Sequence, residues 1–509
     1  MKQHEQIPTD NSQNPERLAD QKMTRQMRRQ MERSLKKIKI VPDEHIRLTA
    51  NTGLGIVLEI FDQSPLKREF IQCLPERVSH RSAGSYLLGL LIIAGHLRGV
   101  DSLSSLKRVR QDPYLRELFE DEVAAIRTLG DFLEDFDEHQ LEKLDQFLNK
   151  MAKSIHEHLT LVLPDQFKPK YFIVDMDSTH HVHYGDEIEG LAYNYKGEWC
   201  LESHTAFDSL GLCHGFKLRD GNTKPGSGAA EFIESIFRDH RQQRIRRLEG
   251  TDFFRADSAY CNQSVIRKCL ELGLQFTITA HKATTQWAKN FYPDQLTWTD
   301  WQHSERDLKK ARGKTLPKVQ VARFHWEPSW AEGILKIPII LKRTWMTFEK
   351  MSKKAKHGQR SLFELSTIKE EGDWQYYAVV TNIDLSSWSI QSVFEHHQQR
   401  AMAENHIKSA KYGMRINNFP CFSLNKNQAW AQLSMVAHNL LRWLALLDSP
   451  DHPGYTERTR GDWIFNPGKL ATTARQIFLR TTIEFKEVLK KIEGWQFPGF
   501  DPAQIFSTS

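Results

Sequence analysis

Three carboxylates stand where this chain could hold a cation. Asp177 closes the apolar run YFIVDMD and precedes Ser178-Thr179, and Asp257 closes DFFRAD and precedes Ser258. Each arrives at the end of a strand-like segment, where a stiff backbone fixes a side chain. Taken alone, either is better explained as a helix cap or turn residue. The third, Glu404, has more specific surroundings. At about 100° per helical residue, Arg400 and Lys408 lie about 40° to either side of it, and His397 and Lys411 about 20° off. The stripe His397, Arg400, Glu404, Lys408, Lys411 holds more cations than acids, which suits a surface meeting phosphates. Its ordinary alternative is acid–base pairing on an exposed helix, worth about 0.2–0.5 kcal/mol per pair. Converging carboxylates without Cys ligands suit hard, oxygen-preferring cations, Mg²⁺ or Mn²⁺. Two such ions about 3.5–4 Å apart can activate an attacking oxygen and stabilise a leaving one at phosphorus. Flanking Arg and Lys would neutralise the charge that grows there. The chemistry indicated is metal-dependent phosphoryl transfer on nucleic acid.

Around these acids the pattern changes several times. Residues 1–21 are polar. Lys22, Arg25, Arg28, Arg29, Arg33, Lys36, Lys37 and Lys39 then face the single acid Glu32, with Met23, Met27, Met31 and Leu35 at four-residue steps. This reads as a basic amphipathic helix, a phosphate-binding arm; the alternative is a solvated helix packing its Met stripe on a partner. From 43 to about 165 apolar residues recur at helical spacing, as in NTGLGIVLEIF and GSYLLGLLIIAGHL. Beyond Lys170, YFIVDMDSTHHV, LESHTAFDS and GLCHGFKLRDG read as three strands, followed by helix, strand, helix, strand. That order implies a mixed sheet with helices on its faces. A Trp- and Lys/Arg-rich stretch, 283–373, reads as a β-rich insertion, and WQYYAVVTNID returns to the sheet. SIQSVFEHHQQRAMAENHIKSAKY and QAWAQLSMVAHNLLRWLALL read as long helices, and 449–509 has no clear pattern. The expected divisions are a leading segment with the arm (1–42), a helical region (43–165), a core in two parts (166–282 and 374–448), the insertion (283–373) and a C-terminal region (449–509).

Composition sets the outer bounds. At 509 residues, with roughly 150 per domain, about three domains are expected. Lys and Arg number 70 against 64 acids, a net charge of +6, so the placement of charge matters more than its sum. The longest apolar run, Tyr86–Ala94, falls short of the ~20 residues a bilayer crossing needs, and no membrane partner is expected. The opening MKQHEQIPTDNSQ lacks the apolar core of a secretory leader. Six cysteines, at 73, 200, 213, 261, 269 and 421, form no Cys-x2-Cys pair, so a reducing cytoplasmic setting is expected.

The acids together resemble the DDE transposases of bacterial insertion sequences, in the branch with a ribonuclease-H-like core interrupted by a β-rich domain. That branch carries Tyr-x2-Arg-x3-Glu-x6-Lys; here the segment is His397-x2-Arg400-x3-Glu404-x6-Lys411, with His in place of Tyr. Asp177-Ser-Thr and Ala256-Asp257-Ser258 resemble the other two acid motifs, 80 residues apart, with 147 more to Glu404. RDGNTKPGSGAAEF (219–232) and NQAWAQLSMVAHNLLRW (427–443) resemble one subgroup, and the likeness spans roughly 170–447. It implies that Asp177, Asp257 and Glu404 hold two Mg²⁺ or Mn²⁺ ions. It implies too that Arg400, Lys408, Lys411 and His397 lie near DNA. The partners implied are double-stranded DNA, as transposon ends and target, and a second copy of the chain in the DNA complex, at the bacterial nucleoid. Asp175, two residues before Asp177 and on the same strand face, could be the ligand instead; the resemblance favours Asp177. His180, His181 and His183 could in principle bind zinc, but read better as strand or loop surface. Trp287, Trp298, Trp301, Trp326, Trp330 and Trp345 read as core, although a Trp in this domain of related enzymes can stack on a displaced base. A non-catalytic descendant or a stand-alone nuclease are the competing functions.

Overall fold

A computed structural model of the chain describes residues 45–77, 84–120, 123–238, 252–291, 296–312, 315–347, 372–473 and 476–505. The chain divides into two units, 1–46 and 47–509. The arm expected at 22–39 lies outside the described residues, and the elements named below belong to the second unit.

The helical periodicity at the start of that unit yields α1 (Thr52–Gln63), α2 (Leu66–Cys73), α3 (Ser85–Leu97), α4 (Ile126–Glu134) and α5 (Glu138–Val162). α3 is apolar all round and buried from Leu88 to Leu97, as a helix enclosed by others must be. Asp137 begins α5 by accepting a hydrogen bond from the Gln140 amide.

The sheet follows: β1 (Phe172–Val182), β2 (Trp199–Asp208), β3 (Cys213–Asp220), α6 (Ala229–Phe237), β4 (Asp252–Ala256), α7 (Gln263–Glu271) and β5 (Gln275–Thr279). β1 runs antiparallel to β2 and β2 to β3, while β4 pairs parallel with β1 and β5 parallel with β4. The resulting order β3-β2-β1-β4-β5 is the ribonuclease-H-like mixed sheet expected from the sequence.

β6 (Val319–Trp326), β7 (Ile337–Met346) and β8 (Asp373–Thr381) come next. β8 returns to the sheet, antiparallel to β5, and β7 and β6 add beyond it. The described strands of 283–373 therefore extend the central sheet. Their two buried faces explain this: Ile337, Ile339 and Leu341 pack on the side of α6 and α7, and Ile340 on the other.

The chain closes with α8 (Ile390–Gln398), α9 (Ala401–Lys408), α10 (Leu424–Asp448), β9 (Gly468–Thr473), β10 (Gln476–Thr481) and α11 (Ile483–Gly494). α6 and α7 bury Phe172, Val174, Met176, Phe254 and Ile278 on one face. α8 buries Ile173, Phe253, Ile340 and Val379 under Val393 and Phe394 on the other. α10 joins the N-terminal helices in a shared core with β2 and β3. It also satisfies the free edge of β3: Asn439 accepts from the Cys213 amide and donates to its carbonyl, and Gln432 donates to the Phe216 carbonyl. The C-terminal region, without pattern in the sequence, forms a small sheet in which β9 pairs with β10 and with Leu48–Thr49. Among the described residues no helix is long and apolar enough to cross a membrane. All six cysteines are free and buried.

Candidate active site

β1 and β4 lie parallel in the register Asp175↔Arg255 and Met176↔Ala256. Asp177 and Asp257 are the next residues in each segment: β4 ends there, whereas β1 runs on to Val182 paired with β2, so Asp177 sits where β1 begins to reach past the end of β4. Asp257 caps the turn Ser258–Tyr260 by accepting from the Ala259 amide at 2.9 Å. Glu404 comes to the same place from α9. Arg400 stands between the acids: one terminal nitrogen is 3.8 Å from Asp177 Oδ1, and the other donates to Glu404 Oε1 at 3.4 Å. Burial pushes the Asp177 carboxyl up to about 7, opposed by Arg400 and reinforced by the charges of Asp257 and Glu404. Asp257 and Glu404 thus both lie near enough to act on Asp177.

The register also separates Asp177 from Asp175. Arg255 Nε and Nη2 each donate to Asp175 at 2.6 Å, and Nη1 donates to the His396 carbonyl at 2.7 Å. Both side chains are 2% exposed. Asp175 is consumed in a closed pair that ties β1 to β4 and to the end of α8, while Asp177 faces the open space.

The stripe drawn on a single helix does not survive folding. α8 ends at Gln398 and α9 starts at Ala401, and after Lys408 the chain widens into a π-helical turn, Ser409–Gly413. The break and the extra width change the angular arithmetic on both sides of Glu404. Arg400 and Glu404 stay together, and Lys408 is exposed. Lys411 turns to β1, donating to the His180 carbonyl at 3.0 Å. His397, expected near phosphates, is 2% exposed. Its Nδ1 lies 3.0 Å from Thr277 Oγ1 and its Nε2 3.0 Å from Thr279 Oγ1, and burial lowers its pKa to about 3, so the ring is neutral. The arm residues Arg25, Arg28, Arg29, Arg33, Lys36 and Lys37 lie outside the described residues.

The His cluster splits across β1. His181 sits between Ser203 Oγ and Asn417 Oδ1, His183 lies against Phe419, and His180 lies against Tyr195. Of the tryptophans, Trp301 lies under Lys342, Trp298 under Arg343, and Trp330 under Arg267, while Trp345 packs on Trp374. The side chain of Trp287 is outside the described set.

Several contributors escaped the sequence reading. Arg255 was legible in principle, because a charge at Asp257 − 2 mirrors Asp175 at Asp177 − 2 on a neighbouring strand. Tyr260 is buried, and its hydroxyl has no hydrogen-bond partner among the described residues. Burial and the nearby Asp177, Glu202 and Asp257 keep that hydroxyl protonated. Glu202, fully buried on β2, is paired with Arg219 at 2.5 Å. Arg219 also donates to the Ser227 carbonyl, so the first residue of RDGNTKPGSGAAEF holds the loop beside the acids.

Among the described residues no three His, Cys, Asp or Glu side chains stand close enough to form a metal site as they are placed. The donor chemistry nonetheless fits a divalent cation. Two aspartates on neighbouring strands and a helix glutamate offer only oxygens, and burial, with the charges of Asp257 and Glu404 added to it, already raises Asp177.

No curated protein matches the chain. The crystal structure of the Mos1 mariner paired end complex with Mn is 11% identical over 34% of this chain and 56% of that one, with a TM-score of 0.16. The chain thus spans little more than half of that protein, and so slight a likeness has no bearing on function. The model of the transposase DDE domain, group 1, matches residues 34–458, a span containing Asp177, Asp257 and Glu404, and the chain belongs to that family.

Proposed function

We propose that this protein is an active transposase that binds the terminal inverted repeats of its element, cuts to free a 3′-hydroxyl, and joins that hydroxyl to target DNA. The observation that supports the reading is that Arg400 lies between Asp177 and Glu404, with Asp257, just past the end of β4, also close enough to act on the Asp177 carboxyl. Asp177, Asp257 and Glu404 would hold two Mg²⁺ or Mn²⁺ ions, which supply activation of the attacking oxygen and stabilisation of the leaving oxygen at phosphorus. Arg400 offers a planar fork to a phosphate once Glu404 is otherwise engaged, and charge on its terminal nitrogens counts most as the phosphoryl oxygens gain charge. Lys411, half-buried and anchored on the His180 carbonyl, adds a fixed positive charge along β1. Asp175 and Arg255 take no part in the chemistry; they hold the two strand ends in register.

The segment 1–42, with Arg25, Arg28, Arg29, Arg33, Lys36 and Lys37, is proposed as a DNA-binding arm, and 43–165 as the region for end recognition and assembly. Two copies would act on paired ends, at the nucleoid. The test is an end-cleavage assay with Mg²⁺ on a duplex bearing the inverted repeat that flanks the gene, with and without target DNA. Cleavage followed by joining supports a transposase. Cleavage without joining supports a nuclease, and binding alone an inactive descendant.

A further inference from the structure

The β7–β8 pair reaches past the end of β5. Val379 is the partner of Thr279, the last residue of β5, whereas Tyr377, two residues further along β8, pairs with Lys342 on β7. Tyr377 and Lys342 share the face of Val379 and Ile340, the face covered by α8 and occupied by the acids. Between this overhang and the start of α9 lies a cavity of about 420 Å³, lined among others by Lys342, Gln375, Tyr377, His397, Arg400 and Glu404. It opens directly beside the carboxylate that completes the acid site.

The hydroxyl of Tyr377 is held from behind. It lies 2.8 Å from Thr279 Oγ1 and 3.3 Å from His397 Nε2, while Thr279 Oγ1 is itself 3.0 Å from the same nitrogen. The Tyr377 ring packs edge-on against Phe394, and the residue is 41% exposed. With His397 protonated at Nε2, that N–H donates to Thr279 Oγ1 while Nδ1 accepts from Thr277 Oγ1. Thr279 then donates its single proton to the Tyr377 oxygen, which leaves the phenolic proton of Tyr377 free to donate into the cavity. Lys342, above the Trp301 ring at 3.8 Å, and Arg400 bring two positive charges to the same walls, against Glu404.

We propose that this cavity holds a backbone phosphate of the DNA strand next to the bond that is cut, and that Tyr377, oriented by Thr279 and His397, donates a hydrogen bond to it beside Lys342. The proposal rests on the DNA-cleaving reading above, and it explains the histidine of this chain's third motif: His397 serves as the support of a tyrosine on the neighbouring strand. Tyr377 is a contact and positioning residue, not a metal ligand.

The experiment is a phosphate-neutralisation map. Binding of wild type and Tyr377→Phe is measured, without divalent cation, to end duplexes in which single phosphates near the cut are replaced by neutral methylphosphonates. In wild type, neutralising one phosphate should weaken binding on the order of tenfold, the scale of one hydrogen bond to a charged group. Tyr377→Phe should bind the fully charged duplex correspondingly weaker and lose sensitivity at that one phosphate, while the other positions and the melting temperature are unchanged. Lys342→Met, which keeps the stem over Trp301, should reduce sensitivity at the same phosphate. A wild-type map retained by Tyr377→Phe at every position would overturn the Tyr377–phosphate hydrogen bond alone. A wild-type protein that binds no end duplex would overturn the DNA reading and that hydrogen bond with it.

Discussion

Alanine at Asp177, Asp257 or Glu404 should abolish end cleavage while leaving end binding nearly intact, because phosphate contacts supply most of the affinity of such complexes. Asp175→Ala should fail differently. It strands the Arg255 guanidinium at 2% exposure, and breaking one side of a buried pair costs about 3–5 kcal/mol. Its expected signature is a large fall in melting temperature, substantially reversed in the double variant Asp175→Ala/Arg255→Met, whereas a stable Asp175→Ala that cannot cleave would restore Asp175 as a ligand. Arg400→Ala should slow single-turnover cleavage at saturating DNA more than it weakens binding, since the charge it meets grows in the transition state; a wild-type rate would reduce Arg400 to a helix ion pair with Glu404. At this scale the sequence singled out the three acids through local features, the residues around each aspartate and the spacing around Glu404, and the structure brings Asp257 and Glu404 near Asp177. It was silent on Tyr377, Thr279 and Glu202, whose partners lie on other elements, and it set His397 toward phosphates, whereas the ring's contacts come from β5 and β8.

Among the elements, the strands were legible where apolar residues alternate between turns, as at Val319–Trp326. That these strands widen the central sheet was not legible, because pairing across distant sequence leaves no local mark. The helix carrying Glu404 was read as continuous because its residues suit a helix throughout; the break at Gln399–Arg400 and the π-helical turn answer to packing against β1 and β5. The docking of α10 on β3 is a second non-local feature. Asn439→Ala would leave both the amide and the carbonyl of Cys213 unpaired in the core and should cost roughly 2–4 kcal/mol by chemical denaturation; a destabilisation within error would mean that the β3 edge is satisfied otherwise. The packing of α5 on β3 predicts a pH effect. Burial raises Asp145, which accepts from the Phe216 amide, to about 7, above its unfolded value of 3.8. A folded pKa above the unfolded one means that the native state binds more protons between those values, so this contribution is complete below about pH 4 and is lost as pH rises through about 7. Asp145→Asn should therefore gain stability over wild type as pH rises from 5 to 8, by up to a few kcal/mol. Parallel melting curves across that range would show the carboxylate ionised and compensated.

For the molecule as a whole, the basic residues of 22–39 all belong to the unit 1–46, and the three acids to the unit 47–509. Deleting residues 1–42 should leave the melting transition of the body in place, weaken end binding, and flatten its salt dependence by about 0.9 in log–log slope for each phosphate the arm had neutralised. An unchanged slope would make the segment a packing or assembly helix. The body joins an all-helical layer to a widened ribonuclease-H-like sheet through one shared core, so recognition and cutting are expected to be borne by one rigid scaffold. The central claim, that the acids converging around Arg400 cut DNA, is tested most directly by single-turnover cleavage of the end duplex with Mg²⁺ by wild type and Glu404→Ala at matched DNA occupancy. The account predicts a cut at the repeat boundary by wild type and none by Glu404→Ala on bound DNA. Equal cleavage by both proteins, or none by wild type on DNA it binds, would contradict it.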